Sequence, residues 1–164
     1  KLARDYEIYP IMSEVAFSTD TRFGKSEDFR ARIKNICRKE IIHTVKEAEP
    51  IGPKKMFDAL VVAPCTGNTL AKLSSGIADS SVTLAAKAHL RNGRPVVVAV
   101  SSNDALAANA ENLGRLLNRE NFYFAPFGQD DAETKPRSLV AEMEKIPQTL
   151  SSALNGIQIQ PILI

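Results

Sequence analysis

A chain of 164 residues, 44% hydrophobic and 24% charged, has the make-up of one soluble globular domain that can bury a substantial core. Its 21 Lys and Arg against 19 Asp and Glu leave a net charge near +2, too small for nucleic-acid binding driven by bulk charge. No apolar run approaches the roughly 20 residues of a membrane span, no signal-peptide pattern precedes the first expected strand, and Cys37 and Cys65 make no metal or redox spacing, which suits a reduced, cytoplasmic protein.

Residues 1–7 read as the tail of a helix and a loop, and residues 8–12 as a strand. Parallel α/β domains commonly open on a strand, so the chain is expected to start inside its own fold. A first strand and part of a first helix then lie outside residues 1–164, and with them the first βα turn, a common phosphate site. Residues 13–24, SEVAFSTDTRFG, are rich in hydroxyls and carry Arg22 among small polar neighbours. Two readings stand here: an anion-binding loop in which Arg22 offers a bidentate fork, or a helix cap and a surface turn. Residues 26–39 place Phe29, Ile33, Ile36 and Cys37 at helical spacing, with Ser26 as N-cap and Cys37 in the core. Residues 41–45 read as a short edge strand whose single His43 is structural. Residues 47–55, with Pro50, Gly52 and Pro53, read as a loop.

The stretch 58–79, DALVVAPCTGNTLAKLSSGIAD, organises the rest. Residues 59–63 form a short apolar β-branched run, a buried strand ended by Pro64. Residues 65–68 make a polar turn, and a helix follows with Leu70, Ala71, Leu73 and Ile77 on its apolar side. Free N–H groups and the positive dipole end at such a helix start favour an anion or an electron-rich ring edge. Most strand–turn–helix joints bind nothing, but Thr66, Asn68 and Thr69 are three polar side chains that hydrophobic packing does not require here.

Residues 80–91 form a further helix capped by Asp79 or Ser80 and closed at Asn92-Gly93. Residues 95–100, PVVVAV, read as a strand covered on both faces. Residues 101–104, SSND, repeat the pattern of an Asn-bearing polar turn at a strand end. A helix is expected over 105–119, with Asn109 and Asn112 on its early turns, and a last strand over 122–125. Residues 126–134 read as a polar loop. A closing helix is expected from Pro136, with Leu139, Met143 and Ile146 inward, a kink at Pro147 and a stop at Gly156. This order predicts an α/β fold, a three-layer α/β/α sandwich on a parallel sheet of flavodoxin/Rossmann-like type, in a single domain.

APCTGNTLAKLSSGIADS resembles the AP-x-[ST]-x-NT-x-AK-x-x-x-GIAD signature of the homo-oligomeric flavin-containing cysteine decarboxylase family. That resemblance implies FMN held by Ser13, Pro64, Thr66, Gly67, Asn68 and Thr69, in sites between subunits of trimer-based assemblies. It places substrate contacts at Asn103 and Asn109, with Arg22 assisting. The segments STDTRFG, AEPIGPK, LRNGRPVVVAVSSNDAL and FAPFGQDD extend the likeness over nearly the whole chain, to the B-subunit family of dipicolinate synthases. This implies as partner a nucleotide-binding A-subunit, which carries NAD(P). The pair would convert a small dihydrodipicolinate-type dicarboxylate to dipicolinate in the mother cell of a spore-forming bacterium. Departures from the decarboxylase pattern bear on mechanism. The family's catalytic His falls on Pro50, which can exchange no proton, and its PxMNxxMW segment falls on 100–108, where only Asn103 is kept. The amino-terminal TGS turn is absent, and no GxGxxG fingerprint supplies a dinucleotide site. The alternatives are an FMN-dependent decarboxylase or prenyl-flavin-type transferase, and a non-catalytic assembly subunit.

Overall fold

The computed structural model describes all 164 residues. In chain order the helices are α1 (Glu14–Ser18), α2 (Ser26–Cys37), α3 (Val45–Ala48), α4 (Gly67–Ser75), α5 (Ser81–Leu90), α6 (Ala110–Leu117) and α7 (Ile146–Ala153). The strands are β1 (Leu60–Cys65), β2 (Val96–Ser102), β3 (Phe122–Phe124), β4 (Phe127–Asp131) and β5 (Lys135–Ala141). β2 is the centre: it pairs in parallel with β1 through Leu60–Val96, Val61–Val97 and Val62–Val98, and with β3 through Val96–Phe122.

Val96 to Val100 are completely buried because β2 is covered on both faces. Val96, Val98 and Val100 pack with Leu70 and Leu73 of α4, Ala86 of α5, and Leu113 and Leu116 of α6. Val97 turns to the opposite layer, against Leu150 and Ala153 of α7. The period-2 alternation of a strand thus builds the expected three layers. No helix is long and apolar enough to cross a membrane.

Several expected elements are shifted. Residues 8–12 and 41–45 meet only at the parallel bridge Ile11–Ile42. Pro10 has no N–H to donate, and a reciprocal Thr44–Glu47 capping box already starts α3 at Val45. Residues 47–55 hold the end of α3 and a 3-10 turn, Glu49–Ile51, with Pro50 in its first positions where a missing N–H costs nothing. Residues 13–24 take the cap-and-turn form, with the Ser13 side chain accepting the Ala16 N–H at 3.2 Å. Lys25, not Ser26, is the N-cap of α2, and Cys37 is only half-buried. Pro64 lies within β1, at a slip of register between Val62 and Cys65, which is where a strand tolerates proline. Ser80, paired reciprocally with Thr83, caps α5, while Asp79 binds Lys72 at 2.9 Å.

The largest departure follows Ala125. A loop and then a helix were expected, but β4 and β5 form an antiparallel hairpin whose second strand joins β2 through Ser101–Val140 and Ser102–Leu139. Leu139, Met143 and Ile146 satisfy a helical spacing, yet Leu139 and Ala141 alternate equally well on one strand face. The Asp131 carboxylate, accepting the N–H groups of Glu133 and Thr134, closes the tight turn that decides between them. Pro147 therefore initiates α7 instead of kinking a longer helix. The sheet is parallel at its centre and mixed overall.

This packing sets an expected contrast. Leu70→Ala, at a fully buried position, should lower unfolding free energy by about 2–5 kcal/mol in urea titration. Ile157→Ala, at an exposed position after α7, should change it by no more than about 0.5 kcal/mol.

Candidate functional site

β1 and β2 are parallel neighbours, so the turns that follow them open on the same rim, roughly 4.8 Å apart at the strands. The first turn leads into α4. Its N-cap, Thr66, makes no side-chain capping bond; its hydroxyl instead meets Thr69 Oγ1 at 3.3 Å. The leading N–H groups of α4 are therefore left without a side-chain acceptor. Thr66 and Asn68 are exposed, Thr69 is half-buried and Gly67 is buried.

The burial of Gly67 brings the two turns together. A Cβ on Gly67 would lie 2.6 Å from Ser102 Oγ, 2.8 Å from Asp104 Oδ1 and 2.8 Å from Asn109 Nδ2. Space, not backbone conformation, requires glycine here. On the β2 side, Ser102 Oγ donates to Asp104 Oδ1 at 2.6 Å and Asn109 Nδ2 donates to Asp104 Oδ2 at 2.8 Å. Asn112 Nδ2 then donates to Asn109 Oδ1 at 3.0 Å. These bonds hold residues 104–109 in turns and delay α6 to Ala110, where a helix from residue 105 was expected.

The Ser102 hydroxyl, and after it the Asn109 amide, hold the Asp104 carboxyl below its ordinary range. An ionised carboxylate thus stands beside the positive end of α4 and offsets part of its dipole. The rim accordingly favours the neutral polar edge of a flat molecule over a bare phosphate at Gly67. Burial pushes the Cys65 thiol up to about 12, so it is no nucleophile at neutral pH.

Thr66, Gly67, Asn68, Thr69 and Asn103 therefore share one rim, with Pro64 exposed on the adjoining strand. Asn109 is different: it is buried and both ends of its amide are bonded within the protein, so it braces the β2 turn. Ser13 caps α1 next to Met12, whose carbonyl accepts the Ser81 hydroxyl at 2.6 Å. Arg22 sits at an exposed turn closed by reciprocal Thr21–Gly24 backbone bonds, stacked over Phe23 at 4.8 Å. No hydrogen bond or ion pair ties Arg22 to the rim; its charge is felt by Lys135 on the β4–β5 hairpin. His43 stacks on Phe17 at 3.8 Å and lies 3.2 Å from Glu47, a structural pairing on the α1–α3 side. Sequence reasoning passed over Ser102 and Asp104; their signal was the run of short side chains directly after an all-buried strand, where such residues close turns onto each other.

Two outcomes follow from this geometry. Gly67→Ala must displace the Ser102–Asp104–Asn109 group and should cost about 1–3 kcal/mol in denaturant titration. Because the folded pKa of Asp104 is lowered, its contribution is present above the unfolded carboxyl value, about 3.9, and is lost as pH falls through the folded value. Melting curves from pH 7 to pH 3 should show Asp104→Asn less stable than wild type near neutrality and the gap closing at the acid end.

The chain matches the family described as Flavoprotein over residues 1–154. It is 46% identical over 158 residues to the dipicolinate synthase B-subunit of Bacillus subtilis (strain 168), covering 96% of this chain and 79% of that protein. The crystal structure of the dipicolinate synthase B-subunit from Bacillus halodurans C superposes with a TM-score of 0.89 at 47% identity, covering 96% of this chain and 81% of that one. A more distant structure, Burkholderia xenovorans DmrB in complex with FMN, has a TM-score of 0.57 at 19% identity, covers 76% of this chain and 70% of its own, and shares the fold. With its strand–turn–helix rim and a match along nearly its entire length, the chain belongs to the Flavoprotein family.

Proposed function

We propose that this chain serves as the flavoprotein-type component of a two-component oxidoreductase that aromatises a dihydropyridine dicarboxylate, the part played in dipicolinate synthase by its B-subunit. The observation that carries the reading is the 46% identity to a dipicolinate synthase B-subunit over 96% of the chain, the two rim turns included. Its partner is then the nucleotide-binding A-subunit of dipicolinate synthase, and the mother cell of a spore former its setting.

Turning a dihydropyridine into a pyridine removes one hydride and one proton, so a hydride acceptor is needed. This chain has no Gly-rich dinucleotide fingerprint, and its buried Cys65 offers no thiol chemistry. Family membership supports FMN, which when bound supplies a two-electron acceptor; NAD(P) on the A-subunit is the acceptor beyond it.

The donor set at the rim suits that cofactor. Thr66, Asn68, Thr69 and the free N–H groups of α4 fit the polar edge of a flavin ring, with Gly67 letting the backbone close up and Pro64 walling one side. Asp104 disfavours a phosphate at the same spot. Ser13, whose oxygen accepts the Ala16 amide at the start of α1, would offer its hydroxyl proton to a phosphate. The outer edge of β1 is unpaired, with Ala63 and Pro64 exposed along it.

Asn103, exposed beside the Asp104 network, is the group assigned to a substrate carboxylate, and Asn109 acts indirectly by fixing that turn. Arg22 is assigned to the second carboxylate from its exposed turn near the hairpin. Val15, Phe23 and Ile36 are exposed on the α1–α2 side, which supports a trimer-based homo-oligomer that covers them. The decarboxylase reading is disfavoured because Pro50, at the position of that family's catalytic His, can carry no proton.

Purified chain should show flavin absorbance. Mixed with a dipicolinate synthase A-subunit, then with a dihydrodipicolinate precursor, it should give the ultraviolet absorbance of the aromatic product. Asn103→Ala should cut turnover at least about tenfold, roughly 1.4 kcal/mol of transition-state stabilisation, with its melting temperature unchanged. Full-rate product formation by the A-subunit on its own would overturn the catalytic assignment.

A further inference from the structure

A second feature lies at the other end of α4, roughly 13 Å along the helix from Gly67. There the end of α4, one side of α5 and Arg119, just beyond α6, surround a surface cavity of about 330 Å³. Leu73, Ile77 and Leu90 give it an apolar floor, and Lys87, Arg91 and Arg119 are the charged residues in its wall; no carboxylate lines it. The volume lies at the lower end of the range for small-molecule pockets, roughly 300–1,000 Å³.

Helix C-termini attract cations, so each of the three has a local reason to be present. Their convergence exceeds that reason. Two helix ends, those of α4 and α5, supply roughly half a negative charge each, against three full positive charges. Arg119 spends one N–H on the Leu73 carbonyl, at 3.2 Å from Nη1, which leaves the rest of its fork free. Lys87 and Arg91 make no ion pair and no side-chain hydrogen bond. They stand four residues apart on α5, a like-charge spacing that destabilises a helix slightly. Overall basicity does not account for the group, since the whole chain carries only about +2. Ile77 remains 48% exposed in the middle of it, a large apolar surface facing the same opening as the cations.

We propose that this cavity is a binding site for a small, flat molecule that carries two acid groups on an apolar body. Lys87 and Arg91 pair with one acid group and the free edge of Arg119 with the other, while the ring lies on Ile77 and Leu90. The site is separate from the Asn-bearing rim and stands independently of the activity assigned to it.

Naphthalene-1,5-disulfonate, a flat dianion, and inorganic pyrophosphate, an anion without an apolar body, are suitable probes for calorimetric titration of the whole chain. The disulfonate should bind saturably at one site per chain. Lys87→Ala/Arg91→Ala, at exposed positions that carry no packing, should weaken it at least about tenfold with an unchanged melting temperature. Asn103→Ala should leave it unchanged. Absence of saturable binding, or equal binding by the double variant, would overturn the site. Pyrophosphate binding as tightly as the disulfonate would overturn the apolar half of the assignment.

Discussion

The close approach of Gly67 to Ser102, Asp104 and Asn109 is the contact on which the rest of this structure turns. Parallel strands bring their carboxyl ends to a common edge, but they do not by themselves press the following turns together. Here the missing side chain at the first position of α4 lets one turn seat directly on the polar side chains of the next. The two exposed amides, Asn68 and Asn103, are thereby carried by neighbouring, braced backbone segments instead of by independent loops. A site built on rigid elements holds its geometry without a ligand to organise it.

That contact also fixes the electrostatic character of the rim. A helix start with uncapped N–H groups is ordinarily a place for phosphate. Asp104, held ionised by a serine hydroxyl and an asparagine amide, stands close to Gly67 and offsets part of that positive end. What remains outward is a row of neutral donors and acceptors from Thr66, Asn68, Thr69 and Asn103. Such neutral donors and acceptors suit the edge of a heterocycle, which is the role proposed for them. The hairpin β4–β5 contributes from the far side: by pairing with Ser101 and Ser102 it sets the direction in which the β2 turn leaves the sheet.

Much of this was legible in the residues. The run PVVVAV announced a strand buried on both faces and ALVVA a second strand, which proves to be a part-exposed edge with only Val62 and Cys65 buried; the polar turns that follow them announced the rim. The stop at Gly93 was plain from local chemistry, and the cap was narrowed to Asp79 or Ser80, of which the structure takes Ser80. The hairpin was not, because Leu139, Met143 and Ile146 fit a helix as readily as Leu139 and Ala141 fit a strand; the Asp131 turn favours the strand, and its pairing with Ser101 and Ser102 is remote in sequence. Ser102 and Asp104 read as generic turn residues, and their partnership with Asn109 exists only in three dimensions. For the same reason Asn109 looked like a ligand contact, although both ends of its amide prove to be bonded inside the protein. Arg22 shows the converse: its residue type fits a dicarboxylate, and its exposed turn is held by its own backbone bonds and by stacking over Phe23.

The central claim is that two adjacent strand ends form one seat for one flat molecule. Backbone amide chemical shifts during an FMN titration of the isotope-labelled chain test it most directly. The account predicts that Gly67, Asn68 and Asn103 shift together along one saturation curve, with Asn109 following through the braced turn. Shifts confined to a single turn, or different curves for Asn68 and Asn103, would contradict it.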